Sequence, residues 1–160
     1  MSIDNEASKE EMVLAIVSKY KEIPGPLLVV LHGIQQELGF IPPEFIPDIA
    51  EGLNLSRAEI HGVISFYHFF RSTPAGRHII QLCRAESCQA MGSISLTAHA
   101  EDLLGIQLNK TGEDGEITLE PVYCLGNCAC SPAIMIDKRI YGRVNSERFD
   151  TLIASIQKKN

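Results

Sequence analysis

The sequence predicts an α+β chain in two parts, a small helical bundle over residues 1–75 and a small α/β layer fold over residues 76–160. Apolar residues recur at helical spacing through the first seventy residues, whereas short apolar runs of strand type alternate with helical stretches after them. A turn-rich link, Arg71-Ser-Thr-Pro-Ala-Gly76, separates the two patterns. The domain boundary is therefore predicted at this link.

Two amphipathic helices are predicted to open the bundle. The segment Ser8-Lys-Glu-Glu11 has the form of a capping box, and the helix that it begins ends before Pro24. The second helix runs from about Pro26 to Leu38, and Gly39 suits the left-handed position that follows a helix. The residues expected to face the core are Met12, Ala15, Ile16 and Tyr20 in the first helix, and Leu27, Val30, Leu31, Ile34 and Leu38 in the second.

Two further helices complete the predicted bundle. A short helix is expected between Pro43 and Gly52, and the segment Ser56-Arg-Ala-Glu59 repeats the capping-box form at the start of a fourth helix. The broad apolar stripe of this fourth helix consists of Ile60, Val63, Ile64, Tyr67 and Phe70. Four helices with short links indicate a small bundle.

The second half of the chain alternates strands and helices. A strand is predicted at His78-Ile-Ile-Gln-Leu82, followed by a helical stretch from about Ala90 to Leu104. The remaining elements are strands at residues 117–122, 133–136 and 140–144, and a last helix capped by Ser146. This order indicates a small α/β fold of the thioredoxin type, although order alone leaves other α/β sandwiches open.

Charge and hydropathy exclude several classes of partner. The net charge of -6 repels polyanions, so neither nucleic acid nor an anionic membrane surface is expected to bind. The N-terminal residues are polar and acidic, unlike a secretory signal. The longest apolar run, Leu27 to Leu31, is far shorter than the roughly 20 residues that cross a bilayer. A cytoplasmic protein without membrane insertion is predicted, in which cysteines stay reduced or bind metal.

Four cysteines occur in pairs directly after two of the predicted strands. The spacing is Cys83-x4-Cys88, then thirty-five residues, then Cys124-x3-Cys128. Two such loops can face each other at one sheet edge. Each iron of a 2Fe-2S cluster is tetrahedral and takes two thiolates besides the bridging sulfides, so one cysteine pair per iron is the natural division.

The residues around the cysteines support a cluster site. Gly126 permits a backbone turn that lets loop N–H groups point at sulfur, and Cys88 is expected to begin the next helix, whose N-terminus favours thiolates. The neighbouring side chains expected to exclude water are Met91, Leu125, Ala129 and Pro132.

Other interpretations of the cysteines stay open on spacing alone. Four thiolates at these intervals could bind structural zinc, and buried unreactive thiols or disulfides are weaker alternatives. A Rieske centre is excluded because no histidine stands beside either pair. Cys130, the fifth cysteine, is interpreted as a small buried apolar residue.

The two cysteine segments carry a family resemblance. Cys83-Arg-Ala-Glu-Ser-Cys88-Gln-Ala-Met-Gly92 and Cys124-Leu-Gly-Asn-Cys128-Ala-Cys-Ser-Pro-Ala133 closely resemble the thioredoxin-like 2Fe-2S subunits of NADH-dehydrogenase modules. Gly62-Val-Ile-Ser-Phe-Tyr67 resembles the helix that precedes the cluster domain in this family. The family includes the small flavoprotein-fraction subunit of complex I, a subunit of NAD-reducing hydrogenases, and the gamma subunit of molybdenum-dependent formate dehydrogenases.

The resemblance implies a helical domain followed by a thioredoxin-like 2Fe-2S ferredoxin domain. Cys83, Cys88, Cys124 and Cys128 are then the cluster ligands, and a partner subunit carries FMN and the NAD site. The segment Arg84-Ala-Glu-Ser87 is most similar to the corresponding segment of formate dehydrogenase gamma subunits. This similarity implies a molybdenum-containing catalytic subunit as a further partner. Equivalent subunits of complex I or of a hydrogenase are the alternatives, and a zinc-stabilised adaptor is the alternative from another class.

The sequence contains none of the common nucleotide motifs. No Gly-x-Gly-x-x-Gly follows a predicted strand, and no phosphate-binding Gly-Lys-Ser/Thr loop occurs. The chain is therefore expected to transfer electrons as a non-catalytic subunit of an NAD-dependent oxidoreductase and to be inactive alone.

Overall fold

The structure, a computed structural model, describes residues 6–157 of the chain. The chain divides into two compact units, the first ending at Pro74 and the second beginning at Ala75. Each unit has its own cluster of buried apolar residues. The helices and the five-stranded sheet confirm the predicted α+β class. Whether each unit is an independent domain stays a prediction.

Four α-helices form the described part of the first unit, from residue 6 onward. They are α1 (Glu6–Tyr20), α2 (Leu27–Leu38), α3 (Ile46–Leu53), which follows a 3-10 turn at Pro43–Phe45, and α4 (Arg57–Phe66). Their apolar faces meet in a core in which the most deeply buried side chains are Val13, Val30, Leu31, Ile34, Ile49 and Ile60. Burial of such side chains is the main stabilising contribution to a bundle of this size.

Helix termini follow the predicted chemistry in α2 and α4. Gly39 ends α2 with φ 83°, and its N–H donates to the carbonyl of Gln35. At the start of α4, the Glu59 N–H donates to the Ser56 hydroxyl, and the Ser56 N–H donates to the Glu59 carboxylate at 2.8 Å. The same backbone hydrogen bond from Ser56 lowers the pKa of Glu59.

The first helix differs from its prediction in both start and register. It is already helical at Glu6, so Ser8 lies inside the helix rather than at its N-cap. Its buried residues are Val13 and Val17, whereas Ala15 is exposed. The segment from Met12 to Val17 is almost continuously apolar, so two helical registers fit the same pattern and packing selects between them.

The fourth helix is shorter than predicted. It ends at Phe66, and Tyr67 and Phe70 lie beyond it. The following segment is fixed by the buried side chain of Gln35, which donates to the carbonyl of Phe69 at 2.8 Å and accepts from the N–H of Arg71 at 2.8 Å. Phe70 is buried by this arrangement, while Phe69 remains exposed.

The second unit contains one mixed sheet. Its strands are β1 (His78–Cys83), β2 (Lys110–Thr111), β3 (Ile117–Val122), β4 (Ile134–Ile136) and β5 (Arg139–Tyr141), in the spatial order β2-β3-β1-β4-β5. Only the central pair, β1 and β3, is parallel, and the other three pairings are antiparallel. Strand β2 was not predicted, because its two exposed polar residues give no hydrophobic pattern.

Up to residue 157, where the described part of the chain ends, three helices accompany the sheet. They are α5 (Glu86–Ala90), α6 (Ser93–Leu104) and α7 (Ser146–Gln157). The predicted single helix is interrupted at Gly92, which has φ 95°, so Cys88 lies within the short α5 rather than at the start of the long helix. The side chain of Asn145, not Ser146, accepts from the N–H of Arg148 at the start of α7.

The centre of the second core is formed by the buried side chains of Leu82, Leu119, Ile134 and Phe149. Strands β1 and β3 lead from this core to the cysteine loops. Within residues 6–157, none of the helices has the length and apolar character that a bilayer crossing requires.

Candidate metal centre

The parallel pairing of β1 and β3 positions the two cysteine loops. Cys83 is the last residue of β1 and lies opposite Val122, the last residue of β3. Since the carboxyl ends of parallel strands meet at one sheet edge, the loops that follow them are neighbours. Cys88 lies in α5, and Cys124 and Cys128 lie in the loop after β3. All four are free thiols.

The second pair has the spacing of two ligands on one tetrahedral metal ion. The Sγ atoms of Cys124 and Cys128 are 3.7 Å apart. Metal–thiolate bonds of about 2.3 Å at the tetrahedral angle separate two sulfurs by about 3.8 Å. The loop after β3 therefore presents a pair of sulfurs that can bind a metal ion without rearrangement.

The first pair lies in an apolar niche. Cys83 and Cys88 are only 3% and 2% exposed and pack with Ala133. Burial raises the pKa of the Cys83 thiol, but hydrogen bonding by the nearby backbone of Ala85, and to a smaller extent by the backbone of Leu125 and Cys124, helps to hold it below its usual value. The backbone of the second loop thus lies close enough to a sulfur of the first to lower its pKa.

The four sulfurs also interact electrostatically. The pKa of Cys128 is raised, chiefly by its hydrogen bond with Cys124 and by the charge of that neighbour, with smaller contributions from Cys88 and Cys83. Thiolates gathered in this way repel one another. A bound cation removes the repulsion and keeps coordinating thiols deprotonated. The electrostatics of the site therefore favour a metal.

The backbone of the second loop adopts unusual conformations. Cys124 has φ 91° and Gly126 has φ 73°, both in the left-handed region. Such a conformation at a non-glycine residue costs on the order of 1–3 kcal/mol and is typical of functional sites. It allows the N–H of Gly126 to approach the Cys124 sulfur at 3.4 Å.

The turn after β5 supports this loop, a role that was not predicted from the sequence. A Cβ atom at Gly142 would lie 2.6 Å from the Cβ of Cys130 and 2.7 Å from the side-chain nitrogen of Asn127. The N–H of Arg143 donates to the carbonyl of Cys130 at 2.6 Å. The available signal was a glycine inside a predicted strand, which often marks close backbone approach.

Two serines connect the cysteine loops and were also missed. The Ser87 hydroxyl donates to the carbonyl of Cys128, and the Ser131 hydroxyl contacts Ser87, Cys88 and the same carbonyl. Serine spacing alone carries no signal for such contacts, since Ser87 and Ser131 are 44 residues apart.

The two cysteine pairs differ in their exposure to solvent, since Cys83 and Cys88 are buried. Cys124 and Cys128 are exposed, and so are Met91, at 61%, and Ala129. The expectation that Met91 and Ala129 exclude water is therefore wrong for the isolated chain, because they line an open face rather than fill a core. Leu125 and Pro132 are half-buried, as shielding residues should be.

Cys130 is half-buried and lies against Gly142.

Across the part of the chain that the structure describes, no three or more His, Cys, Asp or Glu side chains are arranged to hold one metal ion jointly. A two-iron cluster makes a different demand, because it divides four ligands into two pairs. The donor set of four thiols in two neighbouring pairs fits a 2Fe-2S cluster.

Comparison with known proteins gives consistent results. A family model described as thioredoxin-like [2Fe-2S] ferredoxin matches residues 13–157. The chain is 37% identical over 128 residues to a subunit of the NADH-quinone oxidoreductase of Pseudomonas aeruginosa, and the match covers 80% of this chain and 77% of the relative. It is 31% identical over 147 residues to an NADH-quinone oxidoreductase subunit from Rhizobium meliloti, with 92% and 88% covered.

A solved structure is also similar. The crystal structure of an NAD+-reducing [NiFe]-hydrogenase in the H2-reduced state contains a chain that matches with a TM-score of 0.67 and 28% identity. The match covers 84% of this chain and 22% of the hydrogenase chain, so this chain spans about a fifth of that longer one.

Proposed function

The chain belongs to the thioredoxin-like [2Fe-2S] ferredoxin family, and from this premise we propose that it is an electron-transfer subunit of an NAD-linked oxidoreductase. One 2Fe-2S cluster is held by Cys83, Cys88, Cys124 and Cys128. The observation that carries the proposal is the meeting of two cysteine pairs at one sheet edge, one of them with sulfurs 3.7 Å apart. When bound, such a cluster accepts and releases single electrons.

The protein residues position and stabilise the ligand sulfurs. The Cys83 and Cys88 side chains are fixed in their apolar niche, while Cys124 and Cys128 face the open side. The backbone of Ala85, and to a smaller extent that of Leu125 and Cys124, lowers the pKa of Cys83 and so favours its thiolate form. The open side leaves a short path for an electron to a partner.

The purified protein is expected to contain about two irons and two acid-labile sulfides per chain. Reduction with dithionite should give the paramagnetic signal of a reduced 2Fe-2S centre, because the added electron leaves the centre with an unpaired spin. Metal analysis and electron paramagnetic resonance make the measurement. A colourless protein with stoichiometric zinc and no iron would instead support the zinc-stabilised adaptor.

The partner that we propose carries FMN and the NAD site. The relatives are named as subunits of NADH-quinone oxidoreductases, and a similar chain occurs in an NAD+-reducing hydrogenase. The resemblance of Arg84-Ala-Glu-Ser87 to formate dehydrogenase gamma subunits supports a formate dehydrogenase, with a molybdenum-containing subunit, as the parent enzyme in the cytoplasm. The subunits that co-purify with the native chain test this choice, since a molybdenum subunit, a nickel-iron subunit or a membrane arm would each identify a different enzyme.

An exposed aromatic face of the helical unit is the proposed docking surface for the flavin subunit. We define it as Phe66, Tyr67 and Phe69. The neighbouring aromatic residue, Phe70, is buried and contributes to the core instead. Exposed aromatic side chains are enriched at the centres of protein interfaces, because they bury a large area on association.

Replacing Phe69 by glutamate is expected to weaken assembly with the flavin subunit roughly tenfold or more, because a charge would be buried at the interface. Phe69 is 55% exposed, so the free chain should stay folded. Leu14→Glu is the matched control, since Leu14 is 45% exposed on α1 of the same unit. The measurement is the amount of flavin retained after affinity purification, together with the cluster spectrum of each variant. Equal flavin retention in both variants would show that the docking surface lies elsewhere.

A further inference from the structure

The hydroxyl of Ser131 lies between the two cysteine loops. Its Oγ is 3.5 Å from the Sγ of Cys88 and 2.9 Å from the Oγ of Ser87, and it donates to the carbonyl of Cys128 at 2.8 Å. Ser131 is only 8% exposed, so bulk water competes little for this hydroxyl. Its hydrogen bonds are therefore set by the two loops.

Ser87 gives the Cys128 carbonyl a second donor. The Ser87 hydroxyl donates to that carbonyl at 3.2 Å. A serine hydroxyl has a single proton, so Ser131 can donate either to the carbonyl or to the sulfur of Cys88, but not to both at once. With Ser87 on the carbonyl, the proton of Ser131 is free to turn toward sulfur.

Metal ligation changes which of the two groups donates. In the free thiol, the Cys88 S–H donates to the Ser131 oxygen. A ligating cysteine is a thiolate, which has lost this proton and can only accept. The same contact then requires Ser131 to supply the proton, in a hydrogen bond that is strengthened by the charge on sulfur.

We propose that Ser131 donates a hydrogen bond to the ligating sulfur of Cys88 and so raises the reduction potential of the centre. The inference rests on the proposed function, because it requires the bound cluster. Hydrogen bonds to sulfur are among the factors that set the potentials of iron-sulfur clusters. An added electron increases the negative charge on the ligand sulfurs, so a donor stabilises the reduced form more than the oxidised form. Ser131 is a positioning residue that acts through Cys88.

Replacing Ser131 by alanine is expected to make the centre harder to reduce. At a fixed potential, the ratio of reduced to oxidised protein should fall roughly tenfold, a shift of about 59 mV to more negative potential for a one-electron couple. Ser87→Ala should shift the potential in the same direction by a smaller amount, since the Cys128 carbonyl then competes for the proton of Ser131. The measurement is a redox titration of the full chain, followed by visible absorbance.

Two further variants separate hydrogen bonding from packing. Ser131→Thr keeps the hydroxyl and should stay within roughly threefold of the wild-type ratio. Ser155→Ala removes an exposed hydroxyl that donates to the Leu152 carbonyl on α7, and it should leave the potential unchanged.

The outcomes distinguish the two levels of the proposal. A Ser131→Ala protein with normal iron content and an unchanged potential would overturn the role of Ser131 and leave the proposed function intact. Wild-type protein that lacks two irons and two sulfides would overturn the proposed function itself. If Ser131→Ala cannot hold the cluster, the Ser87→Ala titration decides, because an unshifted potential in that variant contradicts the proposed competition for the proton.

Discussion

Replacing Cys128 by serine is expected to remove most of the visible absorbance and iron of the protein. A hydroxyl is a harder and poorer ligand than a thiolate for this iron, and a serine oxygen is protonated at neutral pH. Cys83, Cys88 and Cys124 should behave in the same way. The fold should remain, since the core around Leu82, Leu119 and Phe149 does not include these side chains.

Cys130→Ser is the matched control for this series. Cys130 lies only two residues from Cys128, in the same 3-10 turn, but it packs against Gly142. Its replacement should leave the iron content and the visible spectrum unchanged. Bleaching by Cys130→Ser, together with a normal spectrum for one of the other four variants, would show that the ligand set is assigned incorrectly. Iron analysis and circular dichroism on each variant separate loss of ligation from loss of fold.

The isolated chain is expected to show no NADH oxidation, and activity should appear only when a flavin-bearing partner is added. A nicotinamide releases a two-electron hydride, whereas a single 2Fe-2S cluster accepts one electron at a time, so a flavin must divide the pair. The sequence has no dinucleotide fingerprint, and the two units account for the whole described chain.

The assay mixes the purified chain with NADH and ferricyanide, without flavin or other subunits. Ferricyanide reduction should stay at the rate of NADH and ferricyanide alone, and adding the flavin subunit should bring turnover to the order of 1 per second or faster. Sustained turnover by the chain alone would refute the proposed division of labour. A chain with its cluster removed, assayed in the same way, is the control for ferricyanide reduction caused by iron released from the protein.

Local sequence patterns predicted the elements whose stability is local. The capping box at Ser56, the left-handed Gly39 and the cysteine loops after two strands follow from chemistry within a few residues. They also predicted that the two cysteine loops follow strands and can face each other at one sheet edge. The parallel pairing and the register of β1 and β3 had to come from the structure, because register is a property of two strands together and not of either sequence segment alone.

The features that were missed depend on contacts between distant residues. The contact between Cys88 and Ser131 joins residues 43 positions apart, and the register of α1 is chosen by the partners against which Val13 and Val17 pack. The open face around Met91 was missed for a related reason, since hydrophobicity predicts burial only on average. Hydrophobicity alone does not distinguish a side chain that is buried against a partner from one that is buried in a core.

The close approach at Gly142 has a consequence for protein engineering. The second cysteine loop is held by the hairpin of β4 and β5 through Gly142, through the Arg143 N–H bonded to Cys130, and through the Val144 N–H bonded to Pro132. A graft of this binding site onto another scaffold therefore has to carry residues 134–144 together with the two loops. Position 142 should be kept as glycine in any such design, since even the methyl group of alanine would overlap the loop.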